Sequence, residues 1–486
     1  MPEIDELLGV AQTHLIAGRL EQARKNYQAA VSLDDQNVEA HYTLGNIFYE
    51  TGRHAEAAKC YRRVLAINPK SAEAYSNLGI TLIEMGRHGE AVSQCKQAVM
   101  YRPNHAEFLS NLACEYQHNE ELQEAQRWCR RVISLKPGWS EAYYNLASVL
   151  REQGHVSEAI ANNQKALSLR PDFPEARWNL CHTLLLNGQW EQAWHVCDWW
   201  RCTLKEFVYP DSLNVDQWDG SDFTGKRLLV HWERGIGDNL QCLRYAPLVK
   251  QRGGTVLLEV PDAARDLLKD VEGIDEMVAA TVSHQPDVAF DLYVTLLDLP
   301  TVFNTTLATI PSTLASLRAD PARIELCDRY IVKSSFKIGV VWTGDPQNGN
   351  NDKRSCSLED FAPLARIPGV QLYSLQKGRT SEQLIECEQG FSVIDLAPHL
   401  NDFSDTAAVM HHLDLVISVD TAALHLAGTL GHRAWGLMAF APDWRWLLKR
   451  TDCPWYPSLR LFRPGAPGNW GSVFKQVEAT LREELT

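Results

Sequence analysis

Over the first two hundred residues, apolar positions recur at a helical interval and the whole pattern repeats every 34 residues. Six units begin near Ile4, Val38, Ala72, Ala106, Ser140 and Pro174 and run in register without an insertion. The twentieth position of every unit is alanine (Ala23, Ala57, Ala91, Ala125, Ala159 and Ala193). The seventh and eighth positions set a large residue before a small one: Val10-Ala11, Leu44-Gly45, Leu78-Gly79, Leu112-Ala113, Leu146-Ala147 and Leu180-Cys181. This pattern predicts two antiparallel helices per unit, with the small residue allowing close approach. Gly18, Gly52, Gly86, Gly154 and Gly188 supply the turn, and Pro69, Pro103, Pro137 and Pro171 stop the second helix. A helix pair cannot bury its apolar face alone, so the units should stack into an all-α solenoid with a groove on its inner face.

From about Leu204 the period ends, and short runs rich in Val, Ile and Leu alternate with amphipathic segments, the pattern of α/β units. The first group predicts strands 227–233 and 255–260, helices to about 252 and over 261–270, and further elements from Phe290 to Pro300. The second predicts strands 337–344, 370–377, 391–398, 414–420 and 433–440 and a closing helix 471–485, with 311–333 joining the groups. The expected domains are thus a solenoid of six repeats (1–203), an N-terminal Rossmann-like half (204–333) and a C-terminal Rossmann-like half (334–486). Two such halves facing each other turn their strand carboxyl ends toward a shared crevice, where ligands of these folds bind. Dehydrogenases and periplasmic-type binders share that plan, so the fold alone leaves function open.

Charge narrows the partners. Lys and Arg number 47 against 61 Asp and Glu, a net charge of −14 with no basic stripe, which argues against a grip on nucleic acid or an anionic lipid surface. No run of about 18 apolar residues is present to span a membrane. The opening MPEIDELLGV has neither the basic nor the apolar region of a secretory leader, so a cytoplasmic chain is expected. The 12 cysteines form no C-x-x-C pair, and Cys95, Cys129 and Cys197 fall on apolar helical positions. They read as reduced core thiols, and no metal site is expected. Trp190, Trp194, Trp199 and Trp200 cluster in the sixth unit and should form a domain interface.

Chemistry concentrates after three strands. Glu233-Arg234-Gly235-Ile236-Gly237-Asp238 makes a tight strand-to-helix turn with a carboxylate at its mouth. It is no dinucleotide fingerprint, because Leu240 stands where G-x-G-x-x-G requires glycine. Asp238 reads as a helix N-cap or as a general base. Asp420-Thr421-Ala422-Ala423-Leu424-His425 opens another helix, whose N–H groups together with Thr421 suit an anion, while Asp420 suits ribose hydroxyls. Thr343-Gly344 ends a third strand, and the following Lys353 or Arg354 supplies a cation that can neutralise an anion there. Gln376 and Lys377 end a strand on the same crevice. There is no Asp-x-Asp pair to bridge a metal-bound diphosphate, nor local support for a Ser-His-Asp triad.

The sixth position of four successive repeats is asparagine: Asn77, Asn111, Asn145 and Asn179. A carboxamide carries two donors and an acceptor, so such a ladder can hold the backbone of an extended polypeptide, or it can bond only to the neighbouring helix.

The repeat residues resemble the tetratricopeptide repeat, and the asparagine ladder is similar to that of the O-GlcNAc transferase superhelix, which implies a substrate protein in the groove. Strand, Gly-Asp and a helix with Pro247 resemble the ADP-heptose:lipopolysaccharide heptosyltransferases, which implies that Asp238 is the catalytic base. That family carries Asp-Thr-Gly with His three residues on. Asp420, Thr421, Ala422 and His425 match it, with Ala422 in place of glycine and Leu424 in place of a small polar residue. The family's helix terminus there holds the donor diphosphate, and its lysine falls on Lys353 or Arg354. With Ala441–Trp446 and Pro454–Pro457 included, nearly the whole chain resembles bacterial glycosyltransferase-like proteins with N-terminal repeats. The resemblance implies a glycosyltransferase B fold with an acceptor side (204–333) and a nucleotide-sugar side (334–486). It implies an inverting, metal-independent glycosyltransferase that uses no cofactor and moves a sugar from a nucleotide diphosphate to a hydroxyl or amide. The repeats point to a polypeptide acceptor. A repeat scaffold that retains a degenerate transferase domain, and a transferase acting on a surface glycan, fit the same residues.

Overall fold

A computed structural model describes residues 2–196, 215–233, 235–280, 286–312, 317–332, 336–346, 351–378, 383–386 and 391–486. Cys197, Trp199, Trp200, Arg234 and the expected boundary at 203/204 lie outside the described residues. The chain divides into two compact units, Met1–Ala176 and Arg177–Thr486.

The first unit is helical: α1 (Pro2–Ile16), α2 (Leu20–Leu33), α3 (Val38–Glu50), α4 (His54–Ile67), α5 (Ala72–Glu84), α6 (His88–Tyr101), α7 (Ala106–His118), α8 (Leu122–Leu135), α9 (Ser140–Glu152) and α10 (Val156–Leu169). Helices α3, α5, α7 and α9 each begin on the first residue of a repeat. The alanines at position twenty are fully buried. The reason for small residues at position eight is steric. A methyl group on Gly45 would lie 2.7 Å from the Tyr61 ring and one on Gly79 2.6 Å from Cys95 Sγ, well inside van der Waals contact. The inter-helix glycines take φ of +68° to +78°, the left-handed conformation that ends each first helix. In the fourth repeat Glu120 is forced into the same conformation at +60°.

The second unit takes in most of the sixth repeat, α11 (Pro174–Leu186) and α12 (Trp190–Val196), and two parallel sheets. The first sheet comprises β1 (Asp216–Gln217), β2 (Arg227–His231), β3 (Thr255–Val260), β4 (Glu276–Ala279) and β5 (Leu292–Thr295), in the order β1-β5-β2-β3-β4. The second comprises β6 (Phe336–Val341), β7 (Val370–Ser374), β8 (Val393–Asp395), β9 (Leu415–Val419), β10 (Ala434–Leu437) and β11 (Leu459–Phe462), in the order β11-β10-β9-β6-β7-β8. All these pairings are parallel. Counted from its first strand, the second sheet has the doubly wound order 3-2-1-4-5-6, and its chain direction switches between β6 and β9. The first sheet switches between β2 and β5. Central strands such as β9, buried at every residue, read as continuous apolar runs because both faces of a parallel sheet are covered.

Most strands end two or three residues before the apolar run does; β2 stops at His231 and leaves the residues after it as a loop. Strand β11 escaped the sequence reading because Arg460 stands exposed within a short run at the sheet edge. The described tryptophans of α12 pack inside the second unit, whose boundary falls before them at Ala176/Arg177. Trp190 stacks on Trp455 at 5.4 Å and meets Trp444 edge-on at 5.7 Å, while Trp194 Nε1 donates to Thr305 O at 2.6 Å. Between the sheets, Arg323 of the joining segment binds Asp402 (2.8 Å) and Asp405 (2.7 Å) of the second half and Asp266 of the first.

Candidate active site

The loop after β2 is fixed by Asn239, a fully buried residue of α13 (Ile236–Cys242). Its Nδ2 donates to Glu233 O (2.7 Å) and Gly235 O, and its Oδ1 accepts from Glu233 N at 3.1 Å. Gly235 takes the N-cap position, so Asp238 stands inside the first turn of α13 and is not its cap. A side chain on Gly235 would strike Asp238 Oδ2 at 2.6 Å; glycine lets that carboxylate lie across the loop. Oδ1 of Asp238 pairs at 3.2 Å with Nη2 of Arg445, whose Nη1 binds Asp443 at 2.8 Å. The Arg445 side chain is 8% exposed and that of Asp238 36%, so the carboxylate can be reached while its partner is enclosed.

Glu233 shares this corner. One carboxyl oxygen, Oε2, is buried and finds no hydrogen-bond partner among the described residues. Burial pushes its pKa up to about 8; Asp298 and Asp238 add to the effect, and Thr295 and Arg445 partly offset it. Asp298, just beyond β5, is raised to about 6, again by burial, although Thr295 and Gln217 (Nε2 to Oδ2 at 2.9 Å) hydrogen-bond it.

Across from this corner, β9 leads through Asp420 into α14 (Ala422–Thr429). Thr421 is the N-cap of α14 in extended conformation, yet its side chain makes no cap bond, its hydroxyl meeting Ser418 Oγ at 2.8 Å instead. The first turn of α14 is therefore left without a side-chain cap, as an anion site requires. Burial opposes the charge of Asp420, but the nearby His425 and the charge of Arg354 hold its carboxyl below the usual range. His425 Nε2 lies 3.7 Å from Asp420 Oδ1, and Nδ1 pairs with the Tyr456 hydroxyl at 2.9 Å.

The two corners meet through Gly237. A methyl group there would be 2.6 Å from His425 Cδ2 and 3.3 Å from Ala422 Cα, so α13 and α14 touch where Asp238 and the Asp420–His425 turn begin.

The remaining candidates separate. Thr343 is buried and its hydroxyl accepts from Asn351 Nδ2 (3.1 Å) and Ser355 Oγ (2.9 Å). Arg354 Nη2 comes within 2.8 Å of where a Gly344 methyl would be, whereas neighbouring Lys353 is exposed. Gln376 Oε1 accepts from Trp342 N and Thr343 N, bracing the end of β6. Lys377 Nζ is turned onto Ala397 O (2.9 Å) and Leu400 O (2.7 Å).

In the repeats, Asn111 and Asn145 donate to Ser76 and Ser110 one repeat earlier, each at 3.1 Å, and Asn77 donates to Tyr42 and Asn46. Their carbonyl oxygens accept nothing among the described residues. Asn179 is buried and takes a bond from Thr183. Sequence reading missed Arg445, Asn239, Tyr456 and the raised pKa of Glu233; a charged residue between two tryptophans was the available signal for Arg445.

Residues 12–52, 45–86 and 147–188 match the TPR repeat model, and 72–105 and 106–138 the tetratricopeptide repeat model. Residues 369–450, which hold Asp420, Thr421, His425 and Arg445 but not Asp238, match glycosyltransferase family 9 (heptosyltransferase). Protein FlbA of Caulobacter vibrioides is 27% identical over 291 residues, 55% of this chain; the chain spans about half (48%) of that relative's length. Among solved structures, the MamA protein is 22% identical over 35% of this chain and 92% of its own, with a TM-score of 0.33. A thermophilic TPR protein of Thermus thermophilus is 21% identical over 37% of this chain and 99% of its own, with a TM-score of 0.32. The chain thus combines tetratricopeptide repeats with a glycosyltransferase family 9 (heptosyltransferase) domain.

Proposed function

We propose that the second unit is an inverting, metal-independent glycosyltransferase of the B type, and that its acceptor is a polypeptide bound by the repeats. One observation carries the reading: the Gly237 contact sets Asp238 beside the uncapped start of α14, at the carboxyl ends of switch-point strands from both sheets. In the reaction, Asp238 takes the proton of an acceptor hydroxyl or amide while the acceptor atom bonds to the anomeric carbon and the bond to the diphosphate breaks. A carboxylate is too weak a base to form an alkoxide beforehand, so proton transfer accompanies bond cleavage. The α14 terminus, Thr421 and Arg354 stabilise the departing nucleotide diphosphate, and Asp420 engages the ribose. Arg354 rather than Lys353 is assigned the cation's role because it lies against Gly344 and bears on Asp420. The carbonyls of the half-buried Asn77, Asn111 and Asn145 can accept backbone N–H groups of an extended peptide; Asn179, being buried, is left out of that ladder.

The test is thermal unfolding with UDP, GDP, ADP, CMP and dTDP sugars and the free nucleotides. A ligand at 100 times Kd adds about 2.7 kcal/mol, which moves the melting of a unit this large by about 4 °C. A shift with one nucleotide class, together with release of that nucleotide by the wild type and none by Asp238→Asn, is expected. A folded protein that responds to none of them refutes the reading.

A further inference from the structure

The corner that holds Asp238 contains more carboxyls than the proposed reaction uses. Glu233, Asp238 and Asp298 converge on it from the loop after β2, from α13 and from the turn after β5, and Arg445 is the cation that bears on Glu233 among the described residues. Cys242, a further titratable group here, is kept neutral by burial, which pushes its thiol up to about 12, while Arg445 and Arg244 oppose the shift. Arg445 is already shared between Asp238 and Asp443. Among the described residues one guanidinium faces three crowded carboxyls, so the member with the poorest partners keeps its proton. That member is Glu233: the Asp298 carboxyl accepts from Gln217 Nε2, Asp238 pairs with Arg445, and Glu233 Oε2 is buried without a hydrogen-bond partner among the described residues. The residue is nevertheless held in place, because Asn239 locks its backbone N–H and C=O. A protonated carboxyl is a hydrogen-bond donor, which an ionised one is not.

We infer that Glu233 is a second functional acid of this site: a neutral carboxyl that donates a hydrogen bond to the acceptor atom whose proton Asp238 removes. This rests on the reading of Asp238 as the base. Glu233 keeps its proton throughout; the acceptor proton passes to Asp238, and the electron pair of the broken bond leaves with the diphosphate. The arrangement selects acceptors that can accept and donate at the same atom or group, as a hydroxyl does, or a carboxamide through its C=O and N–H. When Glu233 ionises above about pH 8, the donor is lost and a third negative charge joins Asp238 and Asp298.

Two measurements test this. The first is the infrared difference between wild type and Glu233→Gln across about pH 6–9, the range around the raised acid. A protonated-carboxyl band present at neutral pH and lost with a midpoint near the value of about 8 is expected; a carboxylate already ionised at neutral pH overturns the inference. The second is hydrolysis of the nucleotide sugar that shifts the melting transition, with water as acceptor and nucleotide diphosphate release as readout. Wild-type rate should fall as pH rises through about 8, and Glu233→Gln should hold its rate to higher pH. Glu233→Ala should be about tenfold slower at neutral pH, with unchanged affinity for the free nucleotide diphosphate. Profiles of both variants that match the wild type overturn the role of Glu233. Because Asp238→Asn is measured alongside, the two readings fail separately: an active Asp238→Asn refutes the base, and an inactive one beside an unaffected Glu233→Ala refutes only the second acid.

Discussion

Gly237→Ala is the sharpest test of the contact on which the site depends. The added methyl would stand 2.6 Å from Cδ2 and 3.2 Å from Cγ of His425, and 3.3 Å from Ala422 Cα, against about 3.5–4.0 Å for ordinary carbon contacts. His425 cannot swing away cheaply, because its Nδ1 is bonded to Tyr456 and its ring lies 5.1 Å from that of Trp446. Ala422 offers only backbone. The conflict is relieved by moving α13 about 1 Å from α14, at the usual overpacking cost of about 1–3 kcal/mol. For a unit of this size that lowers the melting temperature by roughly 2–5 °C. The effect on catalysis is larger, since a displacement of about 1 Å between base and leaving-group site can cost about 10²-fold in rate. The assay is nucleotide diphosphate release at saturating donor, with Gly471→Ala as a control, a position where the nearest atom to the new methyl is 4.0 Å away. Adding His425→Ala to Gly237→Ala should recover about 1 kcal/mol or more of stability, because the ring is the closer obstacle. Wild-type melting and rate in Gly237→Ala would refute the claim that this contact sets the site.

Three further outcomes follow from single residues. Arg354→Ala should weaken nucleotide diphosphate binding by about tenfold or more in calorimetry, as loss of a charge-assisted bond does, while Lys353→Ala changes it by less than about threefold; the reverse ranking would reassign the cation. Glu120→Gly should stabilise the first unit by about 0.5–1 kcal/mol in thermal unfolding, because Glu120 holds a left-handed φ of +60° that the other repeats give to glycine. Glu115 is fully enclosed, with neither carboxyl oxygen hydrogen-bonded among the described residues and His88 Nδ1 no closer than 3.8 Å, and burial raises its pKa to about 7. Its folded pKa lies above the unfolded value, so its stabilising contribution is full below about pH 4.5 and is lost as pH rises to about 7, a change of roughly 3 kcal/mol. Glu115→Gln should flatten that part of the stability curve, and an unchanged slope would show that the carboxyl is solvated.

What was legible in the sequence is what local periodicity encodes. The register of Ala23 through Ala193 follows from one fully buried position repeated at a fixed spacing, and the runs that became β3 and β9 are apolar because both faces of each sheet are covered. Pairings between distant segments leave no such trace. Asp238 and Arg445 are about two hundred residues apart, and nothing in either neighbourhood announces the other. Lys353 and Arg354 illustrate the same limit at the shortest range: they are adjacent on one helical turn, where successive side chains point about 100° apart, so equal charge in sequence becomes one cation on Gly344 and one on the exposed side.

The asparagines show how a correct periodicity can still mislead about chemistry. Their spacing is real, but Asn77 directs both its donated bonds, and Asn111 and Asn145 one each, to the preceding repeat, which leaves a ladder richer in acceptors than free carboxamides would make. An extended polypeptide offers N–H groups along one edge that such acceptors can take. Replacing Asn111 and Asn145 together with aspartate keeps the acceptors and removes the bonds to Ser76 and Ser110 as now formed; replacing them with leucine removes both. If the groove binds peptide backbone through these oxygens, capture of an acceptor peptide should survive the first change better than the second, and equal loss in both would mean that the asparagines serve only to join one repeat to the next.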